Sequence, residues 1–227
     1  IAKGQHFVQA IGKCAVCHGD NFAGKVLFDD NIMGRLYSAN LTRGKGGIGG
    51  SFRDTDYVRA IRHGVGTNGR PLLFMPVDAF YYVNDEDLAN TIAYLKTIPA
   101  VDAVSARQAS GPVARALYLG TGFPLVPAER APQHGPRPPV VAPGATVEYG
   151  EYLANTGGCR TCHLKDLSGG VPTQKNVLSA NLTPKGIGKW TEADFRKALR
   201  DGIRPDGRIL SVAMPCPGRI ALKHFPE

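Results

Sequence analysis

The sequence predicts a mainly α-helical protein with two tandem domains joined by a proline-rich linker. Several motifs occur twice at a period of about 140 residues, which is too long for a solenoid and is typical of tandem domains. Apolar residues around these motifs recur at helical spacing. Nine of the 17 prolines fall within residues 99–147. We therefore assign the first lobe to residues 1–98, the linker to residues 99–147 and the second lobe to residues 148–227.

The composition restricts the possible classes of function. A chain of 227 residues with 43% hydrophobic residues is long enough for two small cores, and it contains no apolar run long enough to predict a transmembrane segment. The first residues lack the pattern of a secretory signal, so we expect any targeting segment to have been removed or left out. The formal charge is +8, but the basic residues are spread singly among acidic ones. This pattern argues against nucleic acid and favours an acidic protein partner.

The internal repeat is carried by four pairs of matched segments. The pairs keep the same order along the chain, and the two members of each pair share all or part of their sequence. The pairs are the two C-x-x-C-H strings, "SANLT" at 38–42 and 179–183, "DYVRAIRHGV" with "DFRKALRDGI" at 56–65 and 194–203, and "NGRPLLFMP" with "DGRILSVAMP" at 68–76 and 206–215.

The two C-x-x-C-H strings use four of the five cysteines. They are Cys14, Cys17 and His18 in the first lobe and Cys159, Cys162 and His163 in the second. Such strings are compatible with a disulfide, with part of a zinc site or with covalent attachment of a c-type haem. A zinc site wants a second ligand pair nearby, which neither string has unless both build one composite site, and a redox C-x-x-C does not require the histidine. Haem attachment requires it, because the two sulfurs form thioethers while the imidazole binds iron. We therefore predict two haem c groups.

The repeat also predicts the second axial ligand of each iron. Met75 and Met214 occupy matching Met-Pro positions, 57 and 51 residues after His18 and His163, whereas Met33 is matched by Gln174. A methionine elsewhere usually fills a core, but the following proline holds its loop stiff. The predicted iron ligands are thus a histidine and a methionine in each lobe.

Helical patterns predict how each lobe is closed. In the first lobe, Asn84 is a predicted N-cap, and Leu88, Ile92 and Leu95 form one stripe of a closing helix. After Met214, 13 residues with three prolines predict no such helix. We therefore expect the second lobe to lack this C-terminal helix.

Without a closing helix in its own lobe, the N-terminal helix of the second lobe needs another segment to cover its apolar side. It carries Tyr152, and an exposed aromatic helix face would be costly, so we expect the linker, the first lobe or another subunit to bury it. Farther along, Thr191 is a predicted N-cap, with Phe195, Ala198 and Leu199 on one face of the helix. Residues 113–120 form the one short helix predicted in the linker.

Two other patterns receive structural interpretations. "GKGGIGG" at residues 44–50 lacks the ending of a phosphate-binding loop, so we expect a tight loop against the haem edge. The "NLT" strings at Asn40 and Asn181 match a glycosylation sequon. Because both lie in the repeated core, we interpret them as turns.

These motifs together resemble those of the cytochrome c subunits of bacterial membrane-associated dehydrogenases, which serve alcohol, gluconate and related oxidoreductases. The resemblance covers most of residues 4–98 and 148–215. It implies class I cytochrome c lobes, each a few helices around one haem, assembled in the periplasm or otherwise outside the cytoplasm. It also implies that the closing helix packs on the N-terminal one, here through a pair such as Phe7 with Tyr94. It further implies His18 and His163 as proximal ligands, Met75 and Met214 as distal ligands, and the four motif cysteines as thioether anchors.

Electron transfer is the function that this ligation predicts. An iron held by a porphyrin, a histidine and a methionine has no vacant position, so the chain is predicted to relay electrons from a dehydrogenase or cytochrome to an acceptor such as an oxidase, without being an enzyme itself. The alternative is a di-haem peroxidase or thiosulfate dehydrogenase in which one iron is open or holds an exchangeable ligand. Cys216, two residues after Met214, keeps this alternative open. A subunit whose haems mainly stabilise the fold is a further alternative.

The charge distribution predicts which lobe meets the partner. Residues 148–227 contain 12 basic and 8 acidic residues, against 11 and 9 in residues 1–98. We therefore expect the second lobe to face an acidic redox partner, with an association rate that falls with salt. The basic residues grouped before its methionine include Lys185, Lys189, Lys197, Arg200, Arg204 and Arg208.

Overall fold

A computed structural model describes residues 1–104, 108–121, 125–131, 139–172, 177–211 and 214. Most of its regular structure is helical, as predicted. The elements of the first lobe are α1 (Ala2–His6), continued by a π-helical turn (Phe7–Ile11), α2 (Cys14–His18), β1 (Val26–Asp30), β2 (Gly34–Tyr37), α3 (Asp54–His63), α4 (Val77–Phe80) and α5 (Asp85–Leu95). The linker and second lobe add β3 (Ala109–Ser110), α6 (Pro112–Thr121), a 3-10 turn (Pro127–Glu129), α7 (Val147–Thr156), α8 (Cys159–His163), α9 (Pro184–Ile187) and α10 (Glu192–Asp201).

Helix α5 closes the first lobe as predicted. The Asn84 side chain accepts a hydrogen bond from the backbone N–H of Asp87 at 2.8 Å, which caps the helix. Leu88, Ile92 and Leu95 are each at most 5% exposed and belong to the main buried cluster. The predicted stripe is therefore the core face of the helix.

Helices α1 and α5 cross at very short range. A Cβ atom on Gly4 would lie 1.9 Å from the carbonyl oxygen of Asn90, so only glycine permits this crossing. The expected contact of Phe7 with Tyr94 is only partly correct. Both residues belong to the core region, but the ring of Phe7 pairs with that of Phe80, at 6.4 Å between centroids.

A three-stranded antiparallel sheet in order β1-β2-β3 was not predicted from the sequence. Its first turn depends on Asp30, whose carboxylate accepts hydrogen bonds from the backbone N–H groups of Ile32 and Met33 at 2.8 and 2.6 Å. Gly34 then adopts a φ of 101°, which begins β2. The hairpin places Phe28 edge-on to Phe74, next to the predicted ligand Met75, with the centroids 5.5 Å apart.

The start of the linker is bound tightly to the first lobe. The carbonyl of Val101 accepts hydrogen bonds from the Asn40 amide at 2.8 Å and the Thr42 hydroxyl at 3.1 Å. A Cβ atom on Gly44 would lie 2.1 Å from the same carbonyl oxygen. The glycines of loop 44–50 therefore allow the linker backbone to pack closely against this loop. The sequence predicted a contact of the loop with the haem edge but not this contact with the linker.

The rest of the described linker follows the sequence more closely. Helix α6 covers Pro112–Thr121, which contains the predicted segment 113–120. It follows β3 directly, and β3 pairs with β2 through Gly34 and Arg35. The linker therefore continues the sheet of the first lobe.

The two lobes repeat the same backbone geometry at matched positions, whether or not the residues there are identical. Phe22 and Leu167 both have positive φ values, 58° and 63°. Gly64 and Gly202 end α3 and α10 in the left-handed conformation. Thr191 caps α10 as predicted, by accepting a hydrogen bond from the N–H of Asp194 at 3.2 Å. These matches extend the sequence repeat to conformation.

Tyr152 in α7 is buried by the first lobe, which was one of the three covers expected for it. The side chain is 5% exposed, and its hydroxyl donates a hydrogen bond to the carboxylate of Asp87 at 2.5 Å. The Asn84 amide donates to the same hydroxyl at 3.2 Å. The cap of α5 therefore also binds α7.

The predicted apolar face of α10 is only partly buried. Ala198 is 4% exposed, but Phe195 is 44% exposed. The matching residue of α3, Tyr57, is 2% exposed because it lies in the cluster that α5 closes. Among the described elements, none packs extensively on α10.

Candidate functional site

The C-x-x-C-H strings form the two short helices α2 and α8, which have equivalent boundaries. Lys13 and Gly158 precede them in the left-handed conformation, with φ values of 50° and 73°. Gly19 and Leu164 follow them with φ, ψ values of 79°, 159° and 67°, 166°. Since residues three apart in a helix lie on one face, each turn presents its two thiols together, with the histidine directly behind them.

Both histidines are oriented by the same backbone contact. The Nδ1 atom of His18 lies 2.8 Å from the carbonyl oxygen of Ala39, and that of His163 lies 2.7 Å from the carbonyl oxygen of Ala180. A carbonyl can only accept, so Nδ1 carries the proton in each ring. The Nε2 atom then keeps its lone pair, which is the form of histidine that binds a metal.

Burial keeps the groups of the first string uncharged. It lowers the pKa of His18, although the hydrogen bond to Ala39 acts in the opposite direction. Burial also raises the pKa of the Cys14 thiol to about 12 and that of Cys17 in the same direction. In the second string, burial raises the pKa of Cys159, which the nearby Lys13 ammonium partly opposes. A neutral imidazole beside neutral, partly buried thiols suits an apolar prosthetic group.

The competing interpretations of the strings gain no support from this geometry. The four motif cysteines are free thiols. Among the described residues, no cluster of three or more histidine, cysteine or acidic side chains could hold a metal ion by itself. All six string residues are among those that the structure describes.

Met75 lies where the core of the first lobe meets the linker. Its side chain is partly buried against both buried clusters, including Val77 and Phe80. The preceding residue, Phe74, has a φ of 58° and donates its N–H to the carbonyl of Leu125 in the linker, at 3.4 Å. The loop that carries Met75 is therefore fixed on two sides.

Met214 is half-buried at the corresponding place in the second lobe. It lines a cavity of about 180 Å³ together with Ile203 and Leu210. Its N–H donates to the carbonyl of Ser211 at 2.9 Å. The predicted residues Gln174 and Cys216, and Pro215 of the second Met-Pro pair, lie outside the described residues.

The donor set fits a covalently bound haem c. Each string offers two thiols on one helical turn and a histidine whose Nε2 is available, and a partly buried methionine lies at the matching place of each lobe. Such a site defines a haem-binding electron-transfer protein. Residues 1–99 match the model of the cytochrome c family, so the chain contains a cytochrome c domain.

The chain is similar to the cytochrome subunits of several bacterial dehydrogenases. It is 28% identical to the gluconate 2-dehydrogenase cytochrome c subunit of Pantoea cypripedii, over 89% of this chain and 51% of that subunit. It is 27% identical to the fructose dehydrogenase cytochrome subunit of Gluconobacter japonicus, over 89% and 45%. The alcohol dehydrogenase (quinone) cytochrome c subunit of Gluconacetobacter polyoxogenes is 40% identical over 34% of this chain and 18% of that subunit.

The chain spans about half the length of the first two relatives. No helix within the described residues is long and apolar enough to cross a bilayer. The similarity confirms the resemblance that the motifs carried, and it establishes electron transport through haem c as the general function.

Sequence reasoning missed the groups that orient the histidines. They are backbone carbonyls, which side-chain identity does not reveal. Ala39 and Ala180 nevertheless stand at the same place in the repeated "SANLT" segment. The repetition of that segment was the available signal.

Proposed function

We propose that the chain carries two haem c groups, one in each lobe, and relays electrons through them. The observation that carries the proposal is the repeated hydrogen bond from His Nδ1 to an alanine carbonyl, at 2.8 Å in one lobe and 2.7 Å in the other. The proposed iron ligands are His18 with Met75 and His163 with Met214. Cys14, Cys17, Cys159 and Cys162 are the proposed thioether anchors.

The chain's own residues determine what such a group can do. When bound, a haem c supplies one reversible electron per iron. The cysteines hold the group, the alanine carbonyls fix the imidazole planes, and the methionines occupy the position where a small substrate would otherwise bind. An apolar surrounding and a methionine ligand both raise the reduction potential, which suits a carrier between a dehydrogenase and a downstream acceptor such as an oxidase.

The proposed donor is a dehydrogenase, because the relatives with the widest coverage are named as cytochrome subunits of dehydrogenases. The proposed location is the periplasm, or another compartment outside the cytoplasm, with membrane association through a partner. An acidic docking partner is supported by three exposed lysines of the second lobe, Lys185, Lys189 and Lys197. Arg204 and Arg208 contribute less, because both pair with Asp206.

The number of haems is tested by intact mass after expression with the c-type maturation machinery. We expect the wild-type chain to gain two haem masses and the double variant C159A/C162A to gain one. Cys216→Ala is the matched control, since it also removes a thiol of the second lobe but should keep both haems. One haem in the wild-type protein would refute the two-haem proposal.

The ligands are tested by replacing each methionine in turn. Met75→His or Met214→His should remove one methionine-to-iron charge-transfer contribution in the far red and lower the potential of that haem, leaving the other almost unchanged. If neither change alters the ferric spectrum, the assignment is wrong. Tight binding of carbon monoxide to one haem of the reduced wild-type protein would instead support the enzyme with an exchangeable ligand.

A further inference from the structure

One lysine connects the two C-x-x-C-H strings across the boundary between the lobes. Lys13 directly precedes Cys14 of the first string. Its Nζ atom reaches the second lobe, where it donates a hydrogen bond to the carbonyl oxygen of Gly157 at 3.3 Å. Gly157 lies two residues before Cys159, the first cysteine of the second string. The backbone of this lysine therefore belongs to one proposed haem site, whereas its charge lies beside the other.

The backbone of Lys13 has a conformation that favours glycine. Its φ and ψ values are 50° and 40°, in the left-handed region. The matching residue of the second lobe is Gly158, which has φ and ψ values of 73° and 19°. Because a Cβ atom makes this conformation costly, glycine would suit the turn better in both lobes. A strained residue that persists points to a role for its side chain, here the contact with the second lobe.

The surroundings of the Lys13 side chain are partly shielded from water. The residue is half-buried, so its charge is screened less than a surface charge. Burial raises the pKa of the Cys159 thiol, and the Lys13 ammonium is the largest influence in the opposite direction. A Cβ atom on Gly158 would lie 3.9 Å from the Cβ atom of Ala79 in α4. The first lobe thus packs directly against the start of the second string.

We propose that Lys13 is a redox-tuning residue, a positive charge that the first lobe supplies to raise the reduction potential of the haem in the second lobe. This inference rests on the proposed two-haem function. The ferric form carries one more positive charge than the ferrous form, so a nearby cation disfavours it. Removing the charge should lower the equilibrium constant for reduction of the second haem about three- to tenfold, or about 30–60 mV for one electron. The driving force between the haems then depends on the contact between the lobes.

The test is a spectroelectrochemical titration of the holoprotein, in which Met75→His and Met214→His assign each potential to its haem. We expect Lys13→Gln, which keeps a hydrogen-bond donor but removes the charge, to lower the second potential by this amount and the first by less. Lys13→Arg, which keeps both the donor and the charge, should retain the wild-type values. Lys25→Gln is the matched control, because the Lys25 ammonium opposes the effect of burial on the pKa of Cys17, in the first string. It should leave the second potential unchanged.

The variant Lys13→Gly separates the effect of charge from that of stability. Glycine suits the left-handed backbone, so this variant should melt at least as high as Lys13→Gln, yet lower the second potential as much. An unchanged second potential in Lys13→Gln, or an equal change in Lys25→Gln, would overturn the inference. Potentials that follow the melting temperature instead of the charge would also overturn it.

Intact mass, measured first on every protein, keeps the two proposals apart. Fewer than two haems in the wild-type protein would refute the two-haem proposal. Two haems with an unchanged second potential in Lys13→Gln would refute only the role of Lys13.

Discussion

Replacing Tyr152 with Phe should weaken the attachment of α7 to the first lobe. The change keeps the buried ring but removes a hydroxyl that donates to the Asp87 carboxylate at 2.5 Å and accepts from the Asn84 amide at 3.2 Å. A hydrogen bond to a charged group contributes about 1.5–3 kcal/mol to stability. A loss of about 2 kcal/mol corresponds to a roughly 30-fold larger population of detached α7.

Hydrogen exchange of the α7 amides, together with denaturant unfolding, measures this population. Tyr149→Phe is the matched control: Tyr149 stacks on Tyr152 with centroids 5.9 Å apart, and the substitution keeps that contact. We expect it to change stability by less than about 0.5 kcal/mol. Equal effects of the two substitutions on amide exchange and on unfolding would refute the conclusion that the Tyr152 hydroxyl attaches α7 to the first lobe.

The same side chain gives a pH dependence with a definite sign. Burial, and next the hydrogen bond to Asp87, raise the pKa of Tyr152 above its ordinary value. The folded state therefore favours the neutral phenol, and its contribution is fully present below the unfolded pKa of about 10 and falls as the pH rises further. The wild-type protein should lose stability above about pH 10 more steeply than the Tyr152→Phe variant, and parallel curves would contradict this.

Three more substitutions or conditions test other parts of the structure. Gly4→Ala should destabilise the protein by about 2 kcal/mol, because the new Cβ would lie 1.9 Å from the carbonyl oxygen of Asn90. Gly150→Ala is the control: a Cβ there would meet nothing within 4 Å, so this change should stabilise the protein by about 0.5–1 kcal/mol. Thermal melts of the two variants measure both effects. Leu164→Gly should stabilise the protein by about 1 kcal/mol, because Leu164 has φ, ψ values of 67°, 166° that only glycine adopts readily. The control Leu178→Gly should not stabilise the protein. The rate of electron exchange with an acidic redox protein, measured by stopped flow, should fall as salt is added. It should fall further in Lys197→Glu but not in the control Lys3→Glu. A rate that does not depend on ionic strength would exclude the basic docking face.

Local sequence signals predicted the helices that are fixed by local chemistry. Asn84 and Thr191 cap α5 and α10 as expected, since a cap depends on residues only three positions apart. The β1–β2 hairpin was not predicted, because its turn depends on a single carboxylate, that of Asp30, which accepts hydrogen bonds from two backbone N–H groups. A short polar run of this kind carries no alternating pattern.

Features that depend on distant partners were predictable only as alternatives. The sequence predicted that another segment buries Tyr152, but it did not predict Asp87 as the hydrogen-bond partner, because the two residues are 65 positions apart. Exposure of Phe195 had the same cause: helical periodicity places it on an apolar face, but whether that face is covered depends on another segment. The side-chain identities of the two C-x-x-C-H strings were clear from sequence, whereas the carbonyls that orient their histidines required coordinates.

The binding of the linker to the first lobe determines where the protein can be divided. A fragment that ended at the predicted boundary, residue 98, would lose the Val101 carbonyl that satisfies Asn40 and Thr42. It would also lose Ser110, which pairs with Gly34 at the edge of the sheet. A stable isolated first domain should therefore extend at least through Ser110, so the connection between the repeats is already a structural part of the first one.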